Sequence, residues 1–524
     1  MRIIAALIAF LIAGGAVCFH PESLAKNAKS ISLTPVGQYN AGGGIERAEI
    51  AAYDSATRRI FAINPTELRL DVLDVSNPAL PELVFTVALA GRPNGVAIKD
   101  GVVAVAVENA PKTSPGWVQF FDVGGNLLNT VTVGALPDML VFTPNGRRLL
   151  VANEGEPNSY NQPSSIDPEG TVSIIDMTVG AANLTAADVR TAKFNDAVPQ
   201  TNAESIRKYG PNATLAQDLE PEYIAVSQDS KTAWVTLQEN NAMAILDIEN
   251  SEFTKLVGLG FKDYSLPGNG LDASDSEISS SPRRGTNHIA NWPVFGMYLP
   301  DAVDSYRVRG ETYLVMANEG DTRDYPGFNE EIRIGAGGYV LDPAVFPNAD
   351  VLKMDANLGR LTATNTLGAR EVDGDAQFER IFVPGARSFS IRTAAGELVY
   401  DSGGDFEKII EARALELFNS DGTPATFDSR SDNKGPEPES IVIGKVFGRS
   451  YAFVGLERAG GIMIYDITDP FAPSFIDYVN TSPADIAPEG LLFINEEDSP
   501  NGRPLLVVSH EVSSTTTIFE ITKN

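Results

Sequence analysis

Residues 136–157 read LPDMLVFTPNGRRLLVANEGEP, and the pattern of this stretch recurs along the chain. An apolar strand leads through a turn containing Asn, Asp or Gly into a second apolar strand that ends on a carboxylate. Fixed-period self-similarity of this kind is typical of repeat architectures. The other clear copies are EPEYIAVSQDSKTAWVTLQENN (220–241), EPESIVIGKVFGRSYAFVGLER (437–458) and APEGLLFINEEDSPNGRPLLVVSHE (487–511).

A third strand follows each pair, as in GTVSIIDM at 170–177 and GIMIYDI at 461–467, and a fourth can be drawn after it. Four short strands per unit are typical of a β-propeller blade. We therefore predict an all-β, seven-bladed propeller, or an eight-bladed one if RSFSIRT (387–393) begins its own blade. The strand ISLTPVGQYN at 31–40 is expected to complete the last blade. The predicted blades begin near Glu46, Gly91, Leu136, Glu220, Pro300, Glu437 and Ala487.

Long segments without strand periodicity separate some of these units. We predict one propeller domain over residues 31–524, with insertions near 178–218, 261–298, 322–386 and 405–436, the last containing a helix within 406–420. Long loops on a rigid scaffold are where binding and catalytic residues concentrate.

The chain is acidic, with 40 Lys and Arg against 69 Asp and Glu and a formal net charge of −29. This balance disfavours nucleic acid and anionic membrane surfaces as partners. Residues 1–25 have the basic start and short apolar run of a signal peptide, so we expect a secreted or periplasmic monomer without a transmembrane segment. An alternative is a lipoprotein acylated at Cys18, which is the only cysteine.

Repeated carboxylates at strand ends predict a ring of acids at one rim or around the central channel. Crowded carboxylates must protonate or share cations. Oxygen ligands suit Ca²⁺, with Mg²⁺ or Mn²⁺ as alternatives. Hydrogen bonding of these acids to backbone amides or to the next blade would equally explain them. The candidate metal ligands are Glu154, Glu156, Glu222, Glu239, Asn318, Glu319, Asp321, Glu439, Glu457, Glu489 and Glu511.

Basic residues lie beside several of these acids, and Arg323, Arg387 and Arg458 are the candidates for holding a phosphate group. A divalent metal with guanidinium groups nearby can polarise a phosphoryl oxygen and stabilise its developing charge. Ordinary ion pairing between blades is the alternative. Asp272 and Asp373 begin two further acidic loops, LDASDSE and EVDGDAQ, but neither loop has EF-hand spacing.

Several long motifs carry a resemblance to a known family: NEGEP, DPEGTVSIID, LEPEYIAVS, LQENNA, WPVFGMYLPDAV, GARSFSI, LVYDSG, SDNKGPEPE and GLERAGGIMIYDI. Across nearly the whole chain they resemble the choice-of-anchor I family. The resemblance implies an exported β-propeller, whose members are labelled either alkaline-phosphatase-like or mesenchyme-specific cell-surface glycoproteins. Two hypotheses follow: a metal-dependent phosphoester hydrolase acting on a phosphorylated small molecule, or a non-catalytic module binding a cell-surface ligand with structural calcium.

Overall fold

The computed structural model describes residues 30–281 and 283–524, so the predicted signal peptide and Cys18 lie outside the described residues. The described chain is an all-β propeller of seven antiparallel blades, which confirms the predicted fold class. In each blade the three inner strands follow the order of the chain outward from the centre, and in every blade but the seventh the fourth strand does so too. Throughout the described residues, no helix has the length and hydrophobicity needed to cross a bilayer.

Blades 1 to 3 have four strands each, in order from the innermost to the outermost. Blade 1 comprises Ala51–Asp54, Arg59–Asn64, Arg69–Asp74 and Glu82–Ala88. Blade 2 comprises Pro93–Lys99, Val102–Val107, Pro115–Asp122 and Leu127–Ala135. Blade 3 comprises Pro137–Phe142, Arg148–Asn153, Thr171–Asp176 and Val189–Lys193. This last strand lies inside the range 178–218, which is therefore not wholly an insertion.

Blades 4 to 7 repeat the plan. Blade 4 comprises Ile224–Val226, Thr232–Leu237, Ala242–Asp247 and Glu252–Gly258, with Gln200–Thr201 pairing in parallel on its outer edge. Blade 5 comprises Val303–Val308, Glu311–Asn318, Ser388–Thr393 and Leu398–Asp401. Blade 6 comprises Pro438–Val446, Arg449–Leu456, Ile462–Asp466 and Ser474–Val479. Blade 7 comprises Pro488–Ile494, Leu505–His510, Thr515–Lys523 and, as its outer strand, Ile31–Asn40.

The pairing of the third strand of blade 5 decides between seven and eight blades. Ser388–Thr393 pairs with Glu311–Asn318 across a long insertion and does not begin a blade of its own. The innermost strands of consecutive blades touch all round, including those of blades 7 and 1, so the ring is closed with seven blades.

Closure depends on the strand Ile31–Asn40, which pairs with Thr515–Lys523 as expected. The buried carboxylate of Asp485 reinforces this junction. Its Oδ1 accepts hydrogen bonds from Gln38 at 2.7 Å, Thr515 at 2.7 Å and Thr517 at 2.9 Å. One acceptor thus joins the outer strand of blade 7 to the strand beside it.

The second strand of each blade is almost entirely buried, as in RLLVAN (Arg148–Asn153), because the neighbouring blades cover both faces of the sheet. Apolar residues therefore run continuously there instead of alternating. Their packing between blades 3 and 4 forms a core that includes Leu150, Ile174, Val235 and Leu246.

The insertions of 261–298 and 322–386 pack together beside blades 4 and 5 on a core of their own, which includes Tyr264, Leu271, Tyr339 and Ile381. A three-stranded sheet formed by Phe261–Asp263, Val294–Met297 and Ile381–Val383 joins them. The other short strands are Ser279–Ser280, Arg283–Arg284, Asp324–Tyr325, Phe328–Asn329, Glu331–Arg333, Thr362–Thr364, Ala369–Val372 and Asp375–Phe378.

Helices are few and short. The longest is Asp405–Arg413, which ends before the expected 420 because Ala414 leaves helical geometry. The other α-helices are Leu215–Asp218 and Ala349–Leu352. The 3₁₀ turns are Met177–Val179, Ala181–Asn183, Ala186–Asp188, Ala203–Ser205, Leu415–Leu417 and Pro424–Thr426, and Asp355–Gly359 forms an irregular turn.

Candidate functional site

A cavity of about 660 Å³ opens at the centre of the ring, where the innermost strands begin. All seven blades contribute side chains to it, so the cavity is the end of the propeller's central channel. Acidic groups dominate its wall, and three basic side chains, Arg92, Lys434 and Arg458, also line it.

One ring of polar side chains comes from the start of the innermost strands. In six blades this residue directly follows a proline, and in blade 1 it follows Ala48. In several blades the pairing register shifts at this point, for example between Pro137 and Leu140. Such a β-bulge takes a residue out of the ladder and re-aims its side chain. The ring consists of Glu49, Asn94, Asp138, Glu222, Asp301, Glu439 and Glu489.

A second ring comes from the residue that directly follows the second strand of a blade. Its members in the cavity wall are Glu154, Gln238, Glu319, Glu457 and Glu511. Because sequence-equivalent strand ends lie on one circle, the repeated carboxylates noted in the sequence meet here. In blade 4 the residue at this position is Gln238, whereas the sequence analysis selected Glu239.

Eight of the eleven sequence-predicted metal candidates line this cavity: Glu154, Glu222, Glu319, Asp321, Glu439, Glu457, Glu489 and Glu511. Glu49, Asp138 and Asp301 were not among the predicted residues, although the repeated Pro-Asp or Pro-Glu pair at the start of the innermost strand marked two of the three. Glu437, which is fully buried directly before Pro438, was not predicted either.

The other three candidates lie outside the cavity wall. Glu156 accepts a hydrogen bond from Tyr325 at 2.7 Å and pairs with Lys112. Asn318 is buried between the hydroxyls of Ser388 and Ser390.

Glu239 is the third of these, and it is nearly buried. Its Oε2 has no hydrogen-bond partner among the described residues. Burial raises the pKa of this carboxyl to about 7 even though Arg323 opposes the shift.

Of the three predicted phosphate-binding arginines, only Arg458 lines the cavity. Arg323 is buried in ion pairs with Asp218 at 2.5 Å and Glu220 at 2.9 Å. Arg387 is also buried and pairs with Glu407 at 2.6 Å. A guanidinium fixed in this way is not presented to a ligand in the channel.

Two groups of three carboxylates have ligand oxygens within 4.8 Å of one another. We call Asp138, Glu154 and Glu222, from blades 3 and 4, the open cluster. None of its members takes part in an ion pair with any described residue. Glu222 is only 9% exposed, yet its carboxylate faces the cavity without a hydrogen-bond donor among the described side chains.

We call the other group, Glu319, Glu437 and Glu457 of blades 5 and 6, the lysine cluster. Its charges are already compensated. Lys434 Nζ lies 2.6 Å from Glu319 and 3.2 Å from Glu437, and Arg458 Nη2 lies 2.8 Å from Glu457.

The pKa values separate the two clusters only in part. Burial and the neighbouring carboxylates raise the pKa of Asp138 to about 7 and hold the pKa values of Glu154 and Glu222 well above the usual range. In the lysine cluster, only the pKa of Glu437 is lowered, because Lys434, Arg430 and Arg458 outweigh its burial, whereas burial raises the pKa of Glu319 and holds that of Glu457 well above the usual range. Near neutral pH the open cluster must therefore hold protons or share a cation.

Comparison with known proteins places these features in a family. The model of the choice-of-anchor I domain matches residues 49–470. Gigasin-3a of Magallana gigas is 29% identical over 192 residues, which are 32% of this chain and 66% of that protein. Mesenchyme-specific cell surface glycoprotein of Strongylocentrotus purpuratus is 30% identical over 293 residues, 49% of this chain and 36% of that protein. The chain thus matches less than two thirds of each relative's length.

Two solved structures resemble the chain over most of its length. Hydrazine synthase of Kuenenia stuttgartiensis is 12% identical with a TM-score of 0.46, covering 91% of this chain and 96% of that one. The WD40 domain of Toxoplasma gondii coronin is 9% identical with a TM-score of 0.49, covering 95% and 87%. Likenesses at this level carry no information about the function of this chain.

Proposed function

Since this chain belongs to the choice-of-anchor I family, we propose that it is an exported propeller that binds a divalent cation, with calcium the first choice over magnesium and manganese, and hydrolyses phosphoesters in its channel. A secreted or periplasmic location is part of the proposal. It agrees with the word cell-surface in the name of one relative.

The open cluster is the observation that supports this proposal. Three carboxylates from two blades converge within 4.8 Å, and no basic group of the described chain neutralises them. Carboxylate oxygens without nitrogen or sulfur ligands suit calcium, magnesium or manganese, with water or a ligand completing the coordination. Ionising the nearly buried carboxyl of Glu222 costs free energy because the charge is removed from water, and a bound cation would offset that cost.

A bound divalent cation would polarise a phosphoryl oxygen and lower the pKa of a water molecule. The chain itself supplies the arrangement around that group. Arg458 lines the same cavity and remains one-third exposed, so its guanidinium can contact a second phosphoryl oxygen. The acidic wall repels a free phosphate dianion, which favours release of the product.

The test is hydrolysis of p-nitrophenyl phosphate and bis-p-nitrophenyl phosphate after EDTA treatment, with Ca²⁺, Mg²⁺ or Mn²⁺ added back. Glu154→Gln and Arg458→Ala should each lose most of the cation-restored turnover. Glu108→Gln is the matched control, because Glu108 occupies the position of Glu154 in blade 2 but does not line the cavity. Cation-restored turnover that survives Glu154→Gln would contradict the proposed site.

The second candidate is a non-catalytic binding module in which the cation only braces the blades. The burial of Arg323 and Arg387 in ion pairs favours it, because only one of the three predicted phosphate-binding arginines reaches the cavity. A chain that turns over neither substrate with any of the three cations, but whose melting temperature rises with Ca²⁺, would be this module.

A further inference from the structure

Basic side chains pair with only one of the two carboxylate clusters of the channel, and one of them is the ammonium of Lys434. Lys434 Nζ contacts Glu319 at 2.6 Å, Glu437 at 3.2 Å and Asp321 at 3.3 Å. The residue is 7% exposed. Its charged end therefore lies among carboxylate oxygens, as a bound metal ion would.

The chain holds this lysine firmly in place. Lys434 belongs to the insertion between blades 5 and 6. The buried Arg387 forms hydrogen bonds with the backbone just before Lys434. The guanidinium donates to the carbonyl oxygens of Ser431 at 2.8 Å and Asn433 at 2.7 Å. Gly435 follows at φ 70°, where a Cβ would lie 2.8 Å from Arg387 Cδ. Arg387 thus positions Lys434.

The ammonium of Lys434 has three carboxylate partners, Glu319, Glu437 and Asp321, which compensate its charge in this nearly buried position. A tethered ammonium also cannot diffuse away or be removed by a chelator.

We propose that Lys434 is a built-in cation that fills the lysine cluster, so that the channel takes up only one diffusible divalent ion, at the open cluster. The uptake of one ion at the open cluster rests on the proposed function. The role of Lys434 as a built-in cation does not, and it can be tested separately.

The experiment counts bound ions by equilibrium dialysis with Ca²⁺ and elemental analysis, supported by calorimetric titration. The whole protein should bind one ion in the channel, and Lys434→Met should bind two, because Glu319 and Asp321 then lose their ammonium partner while Glu437 and Glu457 keep only Arg430 and Arg458. Lys434→Arg keeps the positive charge and should still bind one. A count of one for Lys434→Met would overturn the proposal.

A double variant separates this inference from the proposed function. Lys434→Met with Glu222→Gln should bind one ion, in the lysine cluster, whereas Glu222→Gln alone should bind none. If the unaltered protein binds no ion but Lys434→Met binds one, the proposed cation site fails and the role of Lys434 stands.

Folding provides the second readout. Lys434→Met should melt lower than the unaltered protein in EDTA, and Ca²⁺ should restore much of the loss, whereas Lys434→Arg should show no such added response. If Lys434→Met and Lys434→Gln are both insoluble even with Ca²⁺, an ion cannot replace the ammonium and the proposal is wrong.

Discussion

A single carboxylate in the open cluster, that of Asp138, is held in the folded chain at a cost to stability. Burial and like charges raise the pKa of Asp138 to about 7. The ionised form is therefore disfavoured in the folded chain, and the carboxylate is retained at a cost to stability. This is the expected situation of a group that is kept for a ligand.

Replacing Asp138 with Asn should therefore stabilise the chain when no divalent ion is present. At pH 8 in EDTA we expect a gain of about 1–3 kcal/mol, because each unit of pKa shift corresponds to about 1.4 kcal/mol and the cluster shares the effect. The same variant should lose most of the stabilisation by Ca²⁺. Urea unfolding with and without Ca²⁺ measures both, with the exposed Glu497→Gln, outside the cavity, as the control. A loss of stability in EDTA would contradict the argument.

The two arginines at 323 and 458 should respond in opposite ways. Arg323→Met leaves Asp218 and Glu220 without their buried partner and should cost about 3–5 kcal/mol of unfolding free energy. Arg458→Ala removes a partly exposed group and should change stability by less than about 1 kcal/mol. Denaturant melts of the two variants test this, and equal losses would refute it.

Among the elements, the strand Ile31–Asn40 has the clearest single role, since it completes blade 7. Asp485→Ala removes one acceptor that serves Gln38, Thr515 and Thr517. We expect a loss of about 2–4 kcal/mol, at roughly 1 kcal/mol per hydrogen bond. Hydrogen exchange should quicken first in residues 31–40 and 515–523. The exposed Asp498→Ala is the control, and uniform exchange across all blades would contradict a local role.

The blades were predictable because their signal is local and repeated: apolar second strands and turn residues recur in every unit. The ring after the second strands was predictable for the same reason. The innermost ring was only partly predicted, because the Pro-Asp pairs at Asp138 and Asp301 were not recognised as the position that Pro-Glu occupies in other blades, and Glu49 follows Ala48 instead of a proline. Arg323 was not predictable, since its partner Asp218 lies 105 residues away in the chain and its neighbour in sequence is Asp324.

For the whole molecule, the raised pKa values give stability a definite dependence on pH. The pKa of Glu49 is raised to about 8 and that of Asp138 to about 7, both well above the ordinary range of a carboxyl group. At pH values between the ordinary pKa of these carboxyls in the unfolded chain and their raised pKa in the folded chain, the folded chain binds more protons than the unfolded chain. Without divalent ions, stability should therefore fall as the pH rises from about 4 to 8.

Divalent ions should remove this dependence, because they take the place of the protons. Melting temperatures from pH 5 to 8 in EDTA should decline by several degrees, and the decline should be much smaller in excess Ca²⁺. Glu222→Gln should behave in Ca²⁺ as the unaltered protein does in EDTA. A melting temperature that rises with pH in EDTA would show that the ring carboxylates are not the controlling groups.

The pairing of Ile31–Asn40 with Thr515–Lys523 also sets the order of events when the chain is made. Synthesis delivers residues 31–40 early, yet their partner strand leaves the ribosome almost 500 residues later. Until then blade 7 lacks its third strand, and residues 31–40 have no partner to pair with. The outer pairing of blade 7 is therefore the last that synthesis permits, whereas the open cluster, which comes from blades 3 and 4, can assemble before the circle closes.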